Sequence, residues 1–213
     1  MYSLSSTTLQ QPVASSALGA QYGLTKQYEH YFDRMAFNFT YGPFGGVYGK
    51  DYICVQTFDG QISIFEQDHF VFSRFLSTSL IPGPIVYSKS TDSFITFNSN
   101  LEIEAYKYQV LAASNGSNEK EQNQAGKKIQ ADWKLIVGEE IYDIQVGRFS
   151  RAVNLQTEII ALGERTIFGI GENGTLHMQK RFDFFPSCMT LFNTNSKESL
   201  PKQNLMIASH QHS

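Results

Sequence analysis

The 213 residues are enough for one domain, and 41% hydrophobic against 17% charged residues excludes a disordered chain. A formal net charge of −3, from 17 basic and 20 acidic residues with no basic stripe, gives no electrostatic footprint for DNA or RNA. The two cysteines, Cys54 and Cys188, are too few for a metal site and read as reduced thiols.

The chain opens with MYSLS, which has the look of mid-strand sequence, and its first 25 residues are uncharged until Lys26's neighbourhood and rich in Ser, Thr and Gln. They lack the basic start and apolar centre of a signal peptide. From residue 51 the pattern is short strands divided by turn signals. DYICVQTF (51–58) leads through Asp59-Gly60 into QISIFEQ (61–67), and HFVFSRFL (69–76) follows. Asp-Gly between apolar runs predicts a tight hairpin with a type I′ turn. The uncharged stretch from Phe75 to Tyr87 is too short to span a membrane and is broken by Pro82 and Pro84.

The plan then recurs. PIVYSKS (84–90) and SFITFNS (93–99) turn at Asn98-Ser99-Asn100 into LEIEAYKYQVLA (101–112). ASNGSNEKEQNQAGK (113–127) has no large apolar residue, so it predicts a disordered loop within one repeat. KIQADWKLIVG (128–138), EIYDIQVGRF (140–149), TEIIALGE (157–164), RTIFGIG (165–171) and TLHMQKRF (175–182) continue the strands, with Asn173-Gly174 as another turn. PSCMTLFN (186–193) and NLMIASHQ (204–211) begin a further unit.

Equivalent turns at Gly60, Asn100 and Gly163 mark a repeat of about 40–50 residues once the polar insert is set aside, the period of a β-propeller blade. No long segment has a 3.6-residue hydrophobic period. The expected fold class is therefore all-β: a partial β-propeller of about three full four-stranded blades plus two incomplete ones. A single blade cannot bury both of its faces, so neighbours must stack, and the apolar runs ICV and IIAL predict inner strands that are dry on both faces. Residues 1–213 are expected to be a fragment of one propeller domain, truncated at both ends, whose open faces favour association.

Chemistry is suggested at several points and fails at each. Gly169-Ile170-Gly171-Glu172-Asn173-Gly174 matches G-x-G-x-x-G, but a strand-like segment follows where a dinucleotide site needs a helix, and Glu172 would oppose phosphate. Gly45-Gly46-Val47-Tyr48-Gly49-Lys50 has the wrong glycine spacing for a P-loop, with Asp51 where Ser or Thr should stand, so it predicts a loop between the first two strands of a blade. His210 and His212 alternate on a terminal strand without a third ligand; His30, His69 and His177 are scattered. Glu139-Glu140 would point to opposite strand faces and so cannot act as an acid–base pair. Trp133, Phe182, Phe184 and Phe185 read as packing between or at the edges of blades. Three Asn-x-Ser/Thr sequons, at Asn38, Asn115 and Asn173, read as chance in a chain without a signal peptide. No catalytic, cofactor-binding or metal residue is expected, and no cofactor.

TYGPFGGVYGKDYICVQTFDGQISIFEQDHFVFSRFL (40–76) resembles the N-terminal propeller of the Bardet–Biedl syndrome protein nine family. The likeness continues through LIPGPIVYSKSTDSFITF (80–97), EAYKYQVLA (104–112), ADWKLIVGE (131–139), ALGERTIF (161–168) and PSCMTL (186–191), and fades before Met35 and through 113–127. The resemblance implies a blade set from a seven-bladed propeller in a non-catalytic scaffold subunit of the BBSome, a coat that moves membrane proteins to and from cilia. Implied partners are the other BBSome subunits and, indirectly, an Arf-like small GTPase and ciliary membrane-protein cargo, with no nucleic acid and no transmembrane segment. The implied locations are cytoplasm, ciliary base, centriolar satellites and cilium. The competing classes are a WD-type propeller scaffold of another cytosolic complex, a secreted recognition propeller, and a propeller enzyme.

Overall fold

The computed structural model describes residues 2–7, 21–76, 83–113, 129–149, 157–194 and 202–209. Within them, three four-stranded antiparallel sheets follow one another along the chain. The first holds β3 (Ala36–Gly42), β4 (Tyr52–Thr57), β5 (Gln61–Glu66) and β6 (His69–Phe75). The second holds β7 (Ile85–Ser88), β8 (Ser93–Phe97), β9 (Glu102–Lys107) and β10 (Trp133–Ile136). The third holds β11 (Ile141–Gly147), β12 (Glu158–Gly163), β13 (Thr166–Gly171) and β14 (Leu176–Arg181). Two-stranded sheets stand at either end: β1 (Tyr2–Thr7) with β2 (Gln21–Lys26), and β15 (Pro186–Thr194) with β16 (Lys202–Ser209). This is the partial propeller that the repeat predicts, and the turns at Gly60, Asn100 and Gly163 all join or end at the second-to-third strand connection.

The first strand of each sheet touches the first strand of the next: β3 meets β7, β7 meets β11, and β11 meets β15. Burial, however, is deepest in the second and third strands, with β8 buried throughout and β12 and β13 nearly so. The runs ICV and IIAL lie on β4 and β12, which are second strands; the innermost β3 is mostly exposed. The dry strands are thus the middle ones, because each is flanked by sheet neighbours at both edges and by stacked sheets on its faces.

Local chemistry departs from expectation in three places. The β4–β5 turn is not type I′: Gly60 has φ 82°, but Asp59 is not in the positive-φ region. It is a three-residue connection in which Gly60 N–H donates to Thr57 O at 3.1 Å and the Thr57 hydroxyl donates to Asp59 Oδ1. The strand expected over 101–112 stops at Lys107 and gives way to a helix, α1 (Tyr108–Ala113). The helix drives Leu111 to full burial beside Phe44, Cys54 and Phe72, a contact that alternation along a strand could not make. The polar run Gln21–Lys26 forms β2 without an alternating apolar pattern to mark it. The loop expected at 113–127 lies, past Ala113, outside the described residues, as do His210, His212 and Asn115.

Two inserted turns fix how the sheets stack. In the first, Phe44 sits fully buried between sheets one and two, its ring 4.6 Å from Tyr87 and 4.7 Å from Phe94, both edge-on. Gly45 follows at φ 72°, and its N–H donates to Asp92 Oδ1 at 2.9 Å. The Tyr87 hydroxyl donates to that same oxygen at 2.7 Å. Burial, reinforced by the Asp92 carboxylate, pushes ionisation of Tyr87 far up, so it stays a donor.

In the second, Trp133 on β10 donates its indole N–H to Glu172 O at 2.9 Å, across to the β13–β14 turn of sheet three. Ser88 Oγ lies 3.5 Å from Glu172 Oε1, and Ser90 donates to it as well. The indole lies flat over Gly174: a methyl carbon placed there would stand 2.7 Å from Trp133 Cδ2, and φ at Gly174 is 82°. Any side chain at Gly174 must therefore displace the indole and hold a left-handed backbone. Gly174→Val is expected to cost about 2–4 kcal/mol from those two sources together. Trp133 is the chain's one tryptophan, so its emission should shift to the red as the melting temperature falls. An unchanged spectrum and melting temperature would show that the contact does not hold the sheets.

Candidate interaction surface

Three joints occupy most of the buried apolar surface. Sheets one and two meet through Cys54, Ile62, Ile64 and Phe72 against Ile85, Phe94 and Tyr106. Sheets two and three meet through Ile95, Phe97, Ile103 and Ala105 against Ile144, Ile159, Phe168 and Ile170. Sheet three meets the β15–β16 hairpin through Ile160, Leu162 and Ile167 against Met189, with Leu205 and Ile207 packed alongside.

Among the described residues, an apolar face outside these joints lies on sheet one. Register places Tyr41, Ile53, Phe65 and Phe70 in one row across sheet one, and Phe39, Val55, Ser63 and Ser73 in the next. These side chains face away from sheet two. The outer part of this face is covered by the segment leading from β2 to β3: His30 packs on Phe65 with centroids 4.3 Å apart, and Phe32 meets it edge-on at 5.4 Å. His30 Nε2 lies 2.7 Å from Gln67 O at the β5–β6 turn, and Arg34 pairs with Asp59 at the opposite end of the sheet. This strap leaves Phe65 only 6% exposed. The inner part is open, with Phe39 64% and Tyr41 69% exposed.

The motifs singled out in the sequence resolve as structure. Gly169 and Gly171 lie on β13, and Gly174 closes its turn into β14, a strand and not a helix. Gly171 N–H donates to Thr175 O and Gly174 N–H to Gly171 O, so two amides that a phosphate would need are engaged. Gly45 to Lys50 forms the connection between β3 and β4, as expected, and Lys50 pairs with Glu66. Asn38 is not an open sequon: its amide N–H donates to Gly83 O at 3.3 Å. Glu139 and Glu140 precede β11 instead of lying within it, the first half-buried and the second exposed. His69 contacts Asp68 and His177 contacts Glu158, in separate places. Phe182 packs beneath the β15–β16 joint and stacks on Phe184 at 4.9 Å, while Phe185 lies exposed under the Arg165 guanidinium. Cys54 is fully buried, and that burial pushes its thiol far up out of the reactive range; Cys188 is exposed. Among the described residues, no three of His, Cys, Asp and Glu converge as metal ligands would. No helix among them is long and apolar enough to cross a membrane.

Sequence reasoning missed one fully buried charge, Glu104, and one half-buried charge, Asp143. Glu104 has no exposure; Lys134 pairs with it and the Tyr106 hydroxyl donates to it at 2.8 Å. Asp143 on β11 accepts from Met189 N–H of β15 at 3.3 Å and from the Gln145 amide at 3.2 Å. Both carboxylates tie strands together, and neither faces a second catalytic group.

These stacked four-stranded sheets define the class: a β-propeller fold whose buried surface serves sheet-to-sheet packing. The crystal structure of BBS1N in complex with ARL6DN, soaked with mercury, shares the fold, with a TM-score of 0.59 at 12% identity over 88% of this chain and 51% of that one. Saccharomyces cerevisiae Sqt1 does so at a TM-score of 0.51 and 9% identity, over 74% of this chain and 38% of that one.

The family model described as PTHB1 N-terminal matches residues 1–213, and the chain belongs to that family. Protein PTHB1 of Mus musculus is 39% identical over 199 residues, 91% of this chain, and that of Homo sapiens is 38% identical over 197. The Caenorhabditis elegans protein pthb1 homolog is 27% identical over 169 residues. The chain spans about a fifth of the length of these relatives, 22% of the mouse protein.

Asp143 supplies a test of the β11–β15 joint. Burial raises its pKa above the usual aspartate value, against the lowering effect of its hydrogen bonds. The native state therefore holds this proton more tightly than the unfolded chain, and ionisation of Asp143 costs stability as pH rises through the raised value. Asp143→Asn keeps an acceptor for Met189 N–H and removes that cost. The variant should melt higher than the parent at pH 7, with the gap closing below the ordinary aspartate range. A variant that melts lower at pH 7, or a gap that does not depend on pH, would contradict the assignment.

Proposed function

We propose that this chain is a non-catalytic scaffold module of the BBSome coat, supporting the movement of membrane proteins to and from cilia. The observation that carries the proposal is the PTHB1 N-terminal match over all 213 residues. The fold shared with BBS1N, a domain crystallised in complex with ARL6DN, supports placement in an assembly that engages a small GTPase. The partners of the whole product are then the other subunits of the coat and, through them, an Arf-like GTPase and ciliary cargo. Its working location is the cytoplasm, the ciliary base and centriolar satellites, and the ciliary membrane as a peripheral part of the coat.

The residues fit such a role. The buried Glu104 and the half-buried Asp92, Glu172 and Asp143 join strands or sheets. A net charge of −3 without a basic patch gives little attraction to anionic lipid, so recruitment would run through protein contacts.

Tagged full-length product, purified from ciliated cells, should bring down the other BBSome subunits and concentrate at the ciliary base. Its loss should misplace ciliary receptors. Recovery of the product alone from cells that express the other subunits would reject the coat assignment and leave only the fold.

A further inference from the structure

The joint between sheets one and two is apolar towards the Phe44 turn and polar away from it. The apolar part is filled by Cys54, Ile64, Phe72, Phe94 and Tyr106. Two residues beyond Cys54 on β4, and on the same face, stands Gln56. Register sets Gln56 in one row with Asn38, Ile62 and Arg74. The corresponding row of sheet two is Ile85, Thr96, Glu104 and Lys134. The two rows are level with one another. The Asn38 amide donates to Gly83 O and the Thr96 hydroxyl to Pro84 O, two consecutive carbonyls just ahead of β7.

Gln56 has no exposure, and among the described residues neither its Oε1 nor its Nε2 has a hydrogen-bond partner. A primary amide carries two donors and an oxygen that can accept twice, and buried polar groups are costly when left unpaired. The other polar side chains of the two rows are engaged: Asn38 with Gly83 O, Arg74 with Leu111 O, Glu104 with Tyr106 and Lys134. A carbonyl or hydroxyl oxygen in one hydrogen bond can still accept another, so Gly83 O, Pro84 O and Thr96 Oγ1 bring acceptor capacity to this level of the joint. The place is also closed, since Gln56, Thr96 and Glu104 are all without exposure. An occupant must be small, and must both donate and accept.

We infer that the joint between sheets one and two binds ordered water at the Gln56 amide, bridging it to the polar row of sheet two. Water donates to the amide oxygen and accepts from the amide nitrogen, which satisfies both ends of the side chain. The joint is then pinned twice, by Asp92 beside the Phe44 turn and by water at the far end of β4. Both walls of this site lie within the described sheets, and the inference is independent of the coat assignment.

Two measurements test it. In a crystal structure of the protein that resolves ordered water, a water should lie within hydrogen-bond distance of Gln56 Oε1 or Nε2. An amide bonded directly to protein groups, or with no water beside it, overturns the inference. The second measurement is the melting temperature of Gln56→Met, which keeps the length of the side chain and removes its donors and acceptor. With water bound, the substitution takes away a partner of that water, so the variant should melt below the parent. If the amide is dry, methionine relieves an unpaired polar group and the variant melts higher. A melting temperature that rises or does not change therefore overturns the inference. Should the variant fail to fold, the parent crystal structure decides by itself.

Discussion

A four-stranded sheet that is apolar on both faces cannot persist in water by itself, and everything in this molecule follows from that. Phe94 and Tyr106 point one way from sheet two, while Ile95 and Ala105 point the other, and all four are buried. Both faces need covering, so sheets stack in series and burial is deepest in the middle strands. The hydrophobic contribution is large, but it has no direction, and sliding one sheet over another would cost it little.

Direction comes from a few groups that cross the joints. The Phe44 turn wedges between sheets one and two and is held by Asp92, which takes hydrogen bonds from the Gly45 amide and the Tyr87 hydroxyl. The Glu172 turn does the same between sheets two and three, accepting from Trp133 through its backbone and from Ser90 through its carboxylate. Asp143 receives the Met189 amide across the last joint. The acceptors Asp92, Glu172 and Asp143 are half-buried, each has a defined partner on the neighbouring sheet, and a slip would break those bonds. The stack therefore has one register.

This division of labour suits a scaffold. Stacking needs only apolar residues of suitable volume at alternating positions, which is why the fold persists in a structure only 12% identical. What distinguishes one such protein from another is carried by connections and by exposed faces. Here the exposed features are the Phe39 and Tyr41 face, the Phe192 and Met206 face, and the Phe185–Arg165 contact. Aromatic and Arg side chains of this kind are typical anchors in protein–protein contacts.

The sequence by itself determined the elements and their repeat. Period-two runs such as QISIFEQ, broken by Asp59-Gly60 or Asn173-Gly174, encode strands and turns locally, and the spacing of Gly60, Asn100 and Gly163 encodes the blade. It also showed that G-x-G-x-x-G at 169–174 precedes a strand. What needed the tertiary structure was every property created by two distant segments. The helical turn at Tyr108–Ala113 exists because Leu111 finds a pocket made by Phe44 and Phe72, a tertiary override of local alternation. Which strand is dry on both faces depends on which sheets stack, and that moved the burial from the innermost strands to the middle ones. Glu104 is fully buried and Asp143 half-buried, and their partners lie 30 and 46 residues away, beyond the reach of any local pattern. Phe39 and Phe65 are both aromatic on one sheet face, and only the path of the strap leaves the first open and covers the second.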